Sequence, residues 1–219
     1  MSGPTALPVQ GERLCGLAWL DGLLWYSDAG LEAILAVDPA TAAVVTRLAC
    51  PGVRTGLTAA DGGSRLLQVV GADCRLAVLD PFTGRLLDEY PNPRPGAVLC
   101  GLHDTPGGTW MSFRGPAVIE LRRHDHAAIL SIAVAEDVAD VTVAGGAVVF
   151  ANHLAGRLSV LDPESGRVER RIPVVGNPTG LTWDGDRLWY CDYGTGHLRS
   201  VEVDAGDLPP GTRHPVTWL

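Results

Sequence analysis

Gly180-Leu-Thr-Trp-Asp-Gly-Asp-Arg-Leu-Trp-Tyr-Cys-Asp192 reads as two short strands joined by a turn. Apolar and aromatic residues on both sides suit pleated chain, and Asp184-Gly185-Asp186 supplies turn chemistry between them. The opening Gly-Leu recurs at Gly16-Leu-Ala-Trp19, Gly56-Leu-Thr58 and Gly101-Leu-His103, with Asp140-Val-Thr142 in its place in a fourth copy. A hydrophobic strand follows each: Leu24-Trp-Tyr-Ser-Asp28, Leu66-Leu-Gln-Val-Val70, Trp110-Met-Ser-Phe113 and Val148-Val-Phe-Ala-Asn152. Downstream lies an aspartate turn, Asp38-Pro-Ala-Thr41, Asp80-Pro-Phe-Thr-Gly84 and Asp162-Pro-Glu-Ser-Gly166, with degenerate copies at Arg122-Arg-His-Asp125 and Glu202-Val-Asp204. Aspartate starts such a turn and proline fixes φ at the next position, so these aspartates read as turn formers.

Four short strands in each unit of roughly 40 residues is the pattern of a propeller blade. The chain is therefore expected to be an all-β, five-bladed β-propeller with four antiparallel strands per blade. It reads as a single domain over 1–219, with blades near 12–52, 53–94, 95–136, 137–178 and 179–219. The last blade lacks a clear outer strand, and either Arg213–Leu219 or Thr5–Gln10 is expected to supply it.

Composition narrows the chemistry. The chain of 219 residues is 46% hydrophobic and carries a formal charge of −8. All 17 basic side chains are arginine. Without lysine there is neither Schiff-base chemistry nor a Gly-Lys-Ser/Thr phosphate loop. The Ala, Gly and Arg richness fits a GC-rich, bacterial coding bias. The acidic balance argues against nucleic acid as a partner. No apolar run reaches the roughly 18 residues that span a bilayer. Met1–Gly11 shows no secretory signal, and the five cysteines form no C-x-x-C pair, so a cytoplasmic protein with reduced thiols and no membrane partner is expected.

In such a ring, the turns after each second strand and those leading into each first strand gather at one mouth of the tunnel. That mouth is expected to hold Asp28, Arg114, Asn152 with His153, and Asp192 with Tyr193, facing Glu12, Arg54, Asp137 and Asp140. The mixture varies from blade to blade while the turn scaffold repeats. His103 stands where the other blades have Ala18, Thr58, Thr142 and Thr182. It reads either as a general base or metal ligand, or as a core histidine bonded to its surroundings. His124 and His126 look like a metal pair but fall in the degenerate turn on the opposite face. Cys15 and Cys100 occupy one place in blades one and three, filled elsewhere by Thr55, Ala139 and Thr179. If that place faces the tunnel, the thiols are candidates for a nucleophile or a soft-metal grip, against a reading as small packing residues.

Gly180–Asp192, together with Ala151-Asn152 and Arg157-Leu-Ser-Val-Leu-Asp-Pro-Glu-Ser-Gly166, resembles the glutamine-cyclotransferase-like propellers. The resemblance implies five blades. It also implies metal-independent conversion of N-terminal glutamine to pyroglutamate by an acidic proton shuttle with amide or basic groups at the mouth. Asn152 matches the family asparagine. The family's glutamate-rich stretch is not reproduced, and Asp140 is a shortened stand-in. At the level of Gly-Leu-x-Trp and Asp-Gly-x-Leu-Trp the chain is also similar to six-bladed lactonases of the gluconolactonase type. Those hold one divalent ion with Glu, Asn and Asp, for which Glu12, Asn152 and Asp192 are the counterparts.

The expected function is a small-molecule lyase, cyclase or isomerase working at the tunnel mouth by acid–base catalysis, without a cofactor. His103, Asp140, His153 and Asp192 are the candidate proton carriers, and Asp28, Arg54, Arg114, Asn152 and Tyr193 the candidate contacts to a polar or anionic substrate. The alternatives are a hydrolase using one divalent metal ion at Glu12, Asn152 and Asp192, and a non-catalytic binding propeller.

Overall fold

The computed structural model describes residues 5–203. A short strand, β1 (Ala6–Pro8), precedes four complete sheets laid down in strict succession. The first contains β2 (Leu14–Leu20), β3 (Leu23–Asp28), β4 (Ala33–Val37) and β5 (Val44–Ala49). The second contains β6 (Val53–Ala60), β7 (Arg65–Val70), β8 (Arg75–Leu79) and β9 (Leu86–Tyr90). The third contains β10 (Val98–Thr105), β11 (Gly108–Arg114), β12 (Val118–Arg122) and β13 (Ala128–Ala133), and the fourth β14 (Asp140–Ala144), β15 (Ala147–Asn152), β16 (Arg157–Asp162) and β17 (Arg167–Pro173). The fifth contains β18 (Pro178–Trp183), β19 (Arg187–Asp192) and β20 (His197–Glu202), completed by β1. The protein is a five-bladed β-propeller.

Closure uses the amino-terminal strand. Leu7 pairs with Leu198 and is buried, and Val9 N–H donates to the Gly196 carbonyl at 2.9 Å. Pro8 is tolerated because β1 is an edge strand. Stitching the chain's start to its last blade closes the ring in one sheet. The other expected closing segment, Arg213–Leu219, lies outside the described residues.

Each blade packs both faces on its neighbours, so its middle strands have no solvated side. β4 and β15 are accordingly buried at every residue, while the outer strands β5, β9 and β17 are mostly exposed or half-buried. The apolar core is divided into five clusters, one at each blade interface. Trp25, Leu57 and Leu66 fill the first interface, and Tyr26, Leu35 and Trp189 close the ring between blades five and one. Phe113 with Leu76, Phe150 with Ile119, and Tyr190 with Val160 occupy the other three.

The aspartate turns behave as turn formers. Asp80 Oδ1 accepts from the N–H of Phe82 and Thr83 at 2.9 and 3.0 Å, Asp38 Oδ1 accepts from Ala40 N–H at 2.8 Å, and Asp162 accepts from Glu164 N–H at Oδ1 and Ser165 N–H at Oδ2. The Thr83 and Phe82 amides hold the Asp80 carboxyl below the usual carboxylate range. In the degenerate third turn Asp125 accepts from Ala127 N–H at 3.0 Å, which places His124 and His126 on a turn of the same design. Among the described residues no helix is long and apolar enough to cross a membrane.

A candidate site at a plugged tunnel mouth

The five first strands meet at the axis more closely than side chains allow. A Cβ on Gly16 would lie 2.3 Å from Leu57 N, one on Gly56 2.8 Å from Gly101 Cα, and one on Gly180 2.7 Å from Gly16 C. Each glycine thus touches the backbone of the next blade, and the contacts run round the ring. This close approach is the physical content of the repeated Gly-Leu. Just ahead of it, the pairing of first and second strands shifts register in blades one, two, three and five. Gln68 Nε2 donates to the carbonyls of Thr55 and Gly56, and Ser27 Oγ accepts from Gly16 N–H, which satisfies backbone freed by the irregularity.

Blade four departs from this rule. Asp140 replaces the glycine and its pairing runs without a shift. Its carboxylate is fully buried. Oδ1 accepts from Leu102 N–H at 3.1 Å and Val141 N–H at 2.8 Å, and Oδ2 from Leu181 N–H at 2.8 Å. One side chain therefore ties blades three, four and five together and fills the space that four glycines leave. Burial pushes its carboxyl well above the usual range, against the downward pull of the three amides.

One residue upstream of this plug, Cys15, Thr55, Cys100, Ala139 and Thr179 line a cavity of about 310 Å³. The shared position of Cys15 and Cys100 does face the tunnel. Thr55 Oγ1 donates to the Leu99 carbonyl of the next blade at 2.6 Å, and Thr179 Oγ1 to that of Leu14 at 3.0 Å. The thiols point to local carbonyls instead, Cys15 Sγ to Arg13 and Cys100 Sγ to Val98. Burial pushes both thiols up to about 11, so they stay protonated at neutral pH and are poor nucleophiles.

Four of the polar residues expected at the mouth converge on this cavity: Arg54, Arg114, His153 and Tyr193. The Arg114 guanidinium is paired with Asp137, Nε to Oδ1 at 3.1 Å. Arg54, in contrast, has no hydrogen-bond or ion-pair partner among the described residues. The His153 ring meets Tyr193 edge-on, centroids 5.8 Å apart. Its Nδ1 is buried and has no partner.

The carboxylates expected beside them are committed elsewhere. Asp28 accepts from the backbone N–H of Arg13, Gly30 and Leu31 at 2.7–2.8 Å, forming the turn after β3. Asp192 accepts from Arg199 Nε at 2.7 Å and Asn177 N–H at 3.0 Å. Burial raises the Asp192 pKa, but these donors, Arg199 foremost, hold it below the usual range. Asn152 accepts from Ala155 N–H at 3.0 Å and donates to Glu136 at 3.2 Å. Glu136 gave no signal in the sequence, yet it also accepts from Ser159, Arg157 and Arg171. Glu12 is exposed.

The proposed metal set fits poorly on this geometry. Both Asp192 oxygens and both ends of the Asn152 amide are already bonded, and no three His, Cys, Asp or Glu groups among the described residues form a metal-holding cluster.

His103 lies two residues beyond the glycine plug, outside the cavity lining. Its Nδ1 meets Thr142 Oγ1 at 3.1 Å, and burial pulls its pKa down to about 4. Because the folded pKa lies below the ordinary 6.5, the native state keeps this ring neutral. Its contribution to stability is complete above pH 6.5 and is lost as pH falls toward 4. Allowing for partial exposure, that amounts to about 2 kcal/mol. Urea titrations from pH 7 to 4 should show His103→Gln losing less stability than the wild type by this margin. Parallel curves for the two proteins would contradict the assignment.

No known family profile and no curated protein sequence matches the chain. Solved structures do. Myxococcus xanthus glutaminyl cyclase superposes with a TM-score of 0.73 at 16% identity, over 90% of this chain and 94% of that one. A streptogramin B lyase superposes with a TM-score of 0.55 at 14% identity, over 96% and 75%. A catalytically inactive histidine-to-alanine variant of virginiamycin B lyase from Staphylococcus aureus, solved with quinupristin, gives 0.55 at 12% identity, over 87% and 66%. At these identities the chain shares with them a fold, the β-propeller.

Proposed function

We propose that this propeller is a small-molecule lyase, cyclase or isomerase that works by acid–base catalysis at the tunnel mouth on a polar or anionic substrate. One observation carries the reading. A buried, unpartnered imidazole nitrogen on His153 and an exposed, unpaired guanidinium on Arg54 line the same cavity of about 310 Å³. The buried nitrogen without a partner is costly, and a bound polar group relieves it, while the exposed guanidinium is open to an anion. The volume suits a molecule of amino-acid or dipeptide size.

In this mechanism Arg54 holds the anionic end of the substrate, and Arg114 and Tyr193 orient the remainder. His153 takes a proton from the substrate at a free ring nitrogen, and the resulting imidazolium returns it to the leaving group or the rearranged product. Proton transfers alone complete an elimination, a cyclisation or an isomerisation. The protonated Cys15 and Cys100 form wall, not nucleophile. Asp28, Asp140 and Asp192 position backbone, which leaves His153 as the proton carrier. The cyclase and lyases among the structural neighbours support this class, as does the inactivity of the histidine variant of virginiamycin B lyase.

The test is turnover of glutaminyl peptides and small amino and hydroxy acids, followed by mass spectrometry. For any substrate found, His153→Ala should lower kcat by about 10²- to 10⁴-fold. Arg54→Ala should mainly raise KM, by about tenfold or more. Turnover that survives His153→Ala would reject the mechanism. Arg54-dependent binding without turnover of any compound would instead mark a binding propeller.

A further inference from the structure

The two arginines at the mouth are electrostatically unlike. Arg114 reaches Asp137 through Nε at 3.1 Å and a terminal nitrogen at 3.4 Å. The Asp137 side chain is only 15% exposed against 47% for Arg114, so the carboxylate is the fixed member of the pair. It comes from the connection between β13 and β14, just ahead of Ala139 in the cavity wall. Arg54 comes from β6 and has no such partner among the described residues. The cavity lining holds no other arginine and no Asp or Glu. Of the two permanent charges in the cavity lining, Arg54 and Arg114, only that of Arg54 is left uncompensated by a direct partner, because Asp137 cancels Arg114.

We infer that the cavity selects ligands bearing one carboxylate, bound by Arg54, and that Asp137 sets this selectivity by neutralising Arg114. This deepens the proposed function and rests on its placing of the substrate in the mouth cavity. A second carboxylate would have to compete with Asp137 for Arg114. It would meet a like charge within hydrogen-bond distance of its target and find no other fixed cation in the lining. A neutral amide or hydroxyl meets no such repulsion and can still bond to exposed edges of the guanidinium. Asp137 is thus a specificity residue and touches no reacting atom.

Paired probes of one skeleton test this. Glutaramate and glutarate differ by a carboxamide for a carboxylate, and succinamate and succinate repeat the comparison one methylene shorter. Binding is read by isothermal titration calorimetry at low salt. Wild type is expected to favour each monocarboxylate by about tenfold over its dicarboxylate partner. Arg54→Ala should weaken binding of both by about tenfold or more. Asp137→Asn keeps the side-chain shape, removes the charge and frees Arg114, and should erase or reverse the preference. Asp137→Ser serves the same purpose if the first variant does not fold, and Asp137→Glu should retain it. The preference should also shrink as salt is raised to 0.5 M, because these charges are partly exposed. Arg54-dependent binding with a ratio unchanged in Asp137→Asn would overturn the inference and leave the site assignment standing. Equal or stronger binding of the dicarboxylates to wild type would overturn it too. Failure of all four acids to bind would overturn both.

Discussion

Gly16→Ala should leave the ring unable to close without backbone displacement. The added Cβ would sit 2.3 Å from Leu57 N and 2.7 Å from Gly56 C, both backbone atoms of the next blade. Ordinary contact needs about 3.4 Å or more, and neither atom can swing aside as a flexible side chain would. Overpacking of cores typically costs 1–3 kcal/mol, and a backbone-to-backbone collision belongs at or above the top of that range. For a chain of this size, about 3 kcal/mol lowers Tm by about 6–12 °C. Gly22→Ala is the fitting control. It sits at φ 78° with nothing within 4 Å, so it bears only the left-handed backbone penalty of about 1–2 kcal/mol. Should the two variants melt together in a thermal scan, close packing at the axis is not what Gly16 provides.

Asp140→Ala is expected to be the other severe substitution. It removes the acceptor of three buried backbone N–H groups, those of Leu102, Val141 and Leu181, and empties the only side chain among the five equivalent axial positions. An unsatisfied buried donor costs about 1–3 kcal/mol, so a total loss of about 3–5 kcal/mol follows if water enters in part. Asp140→Asn retains one oxygen, which can keep two of the bonds, but turns an amide N–H toward the third donor. It should cost about 1–2 kcal/mol. The order of stabilities, wild type above Asn above Ala, is the readout from urea unfolding. An alanine variant within about 1 kcal/mol of wild type would show that the plug is not a structural tie. This also separates the residue from catalysis. A carboxylate whose substitution damages stability in this order, with turnover per folded molecule preserved, is scaffold.

The fold was legible because repetition multiplies a weak signal. A single Gly-Leu or Asp-Pro means little, but four copies of the first and three of the second, set in five units of roughly 40 residues, leave few architectures. The cavity was half legible. Arg54, Arg114, His153 and Tyr193 were found because the alternation of strands and turns assigns loops to faces. The equivalence of Cys15, Thr55, Cys100, Ala139 and Thr179 was visible as well, though not their orientation. Asp28, Asp192 and Asn152 belong to the same mouth by sequence position, but Asp28 and Asn152 turn back to cap the chain that follows them, and Asp192 accepts from Asn177 N–H and the Arg199 guanidinium. Sequence position gives the loop in which such a residue lies, and the direction of a short polar side chain is set by which backbone N–H groups lack partners. The pairing of Arg114 with Asp137 across a 23-residue separation left no trace in the sequence.

By itself, then, the sequence determined the blade count, the turn chemistry and the absence of lysine-dependent mechanisms. These follow from local propensity and from residue identity, which need no third dimension. Tertiary structure alone decided which of two termini closes the ring, which arginine stays free, and that an aspartate plugs the axis between four glycines. Each of these depends on atoms brought together from different blades, where packing distance and the competition for hydrogen-bond partners choose among residues that look equivalent along the chain.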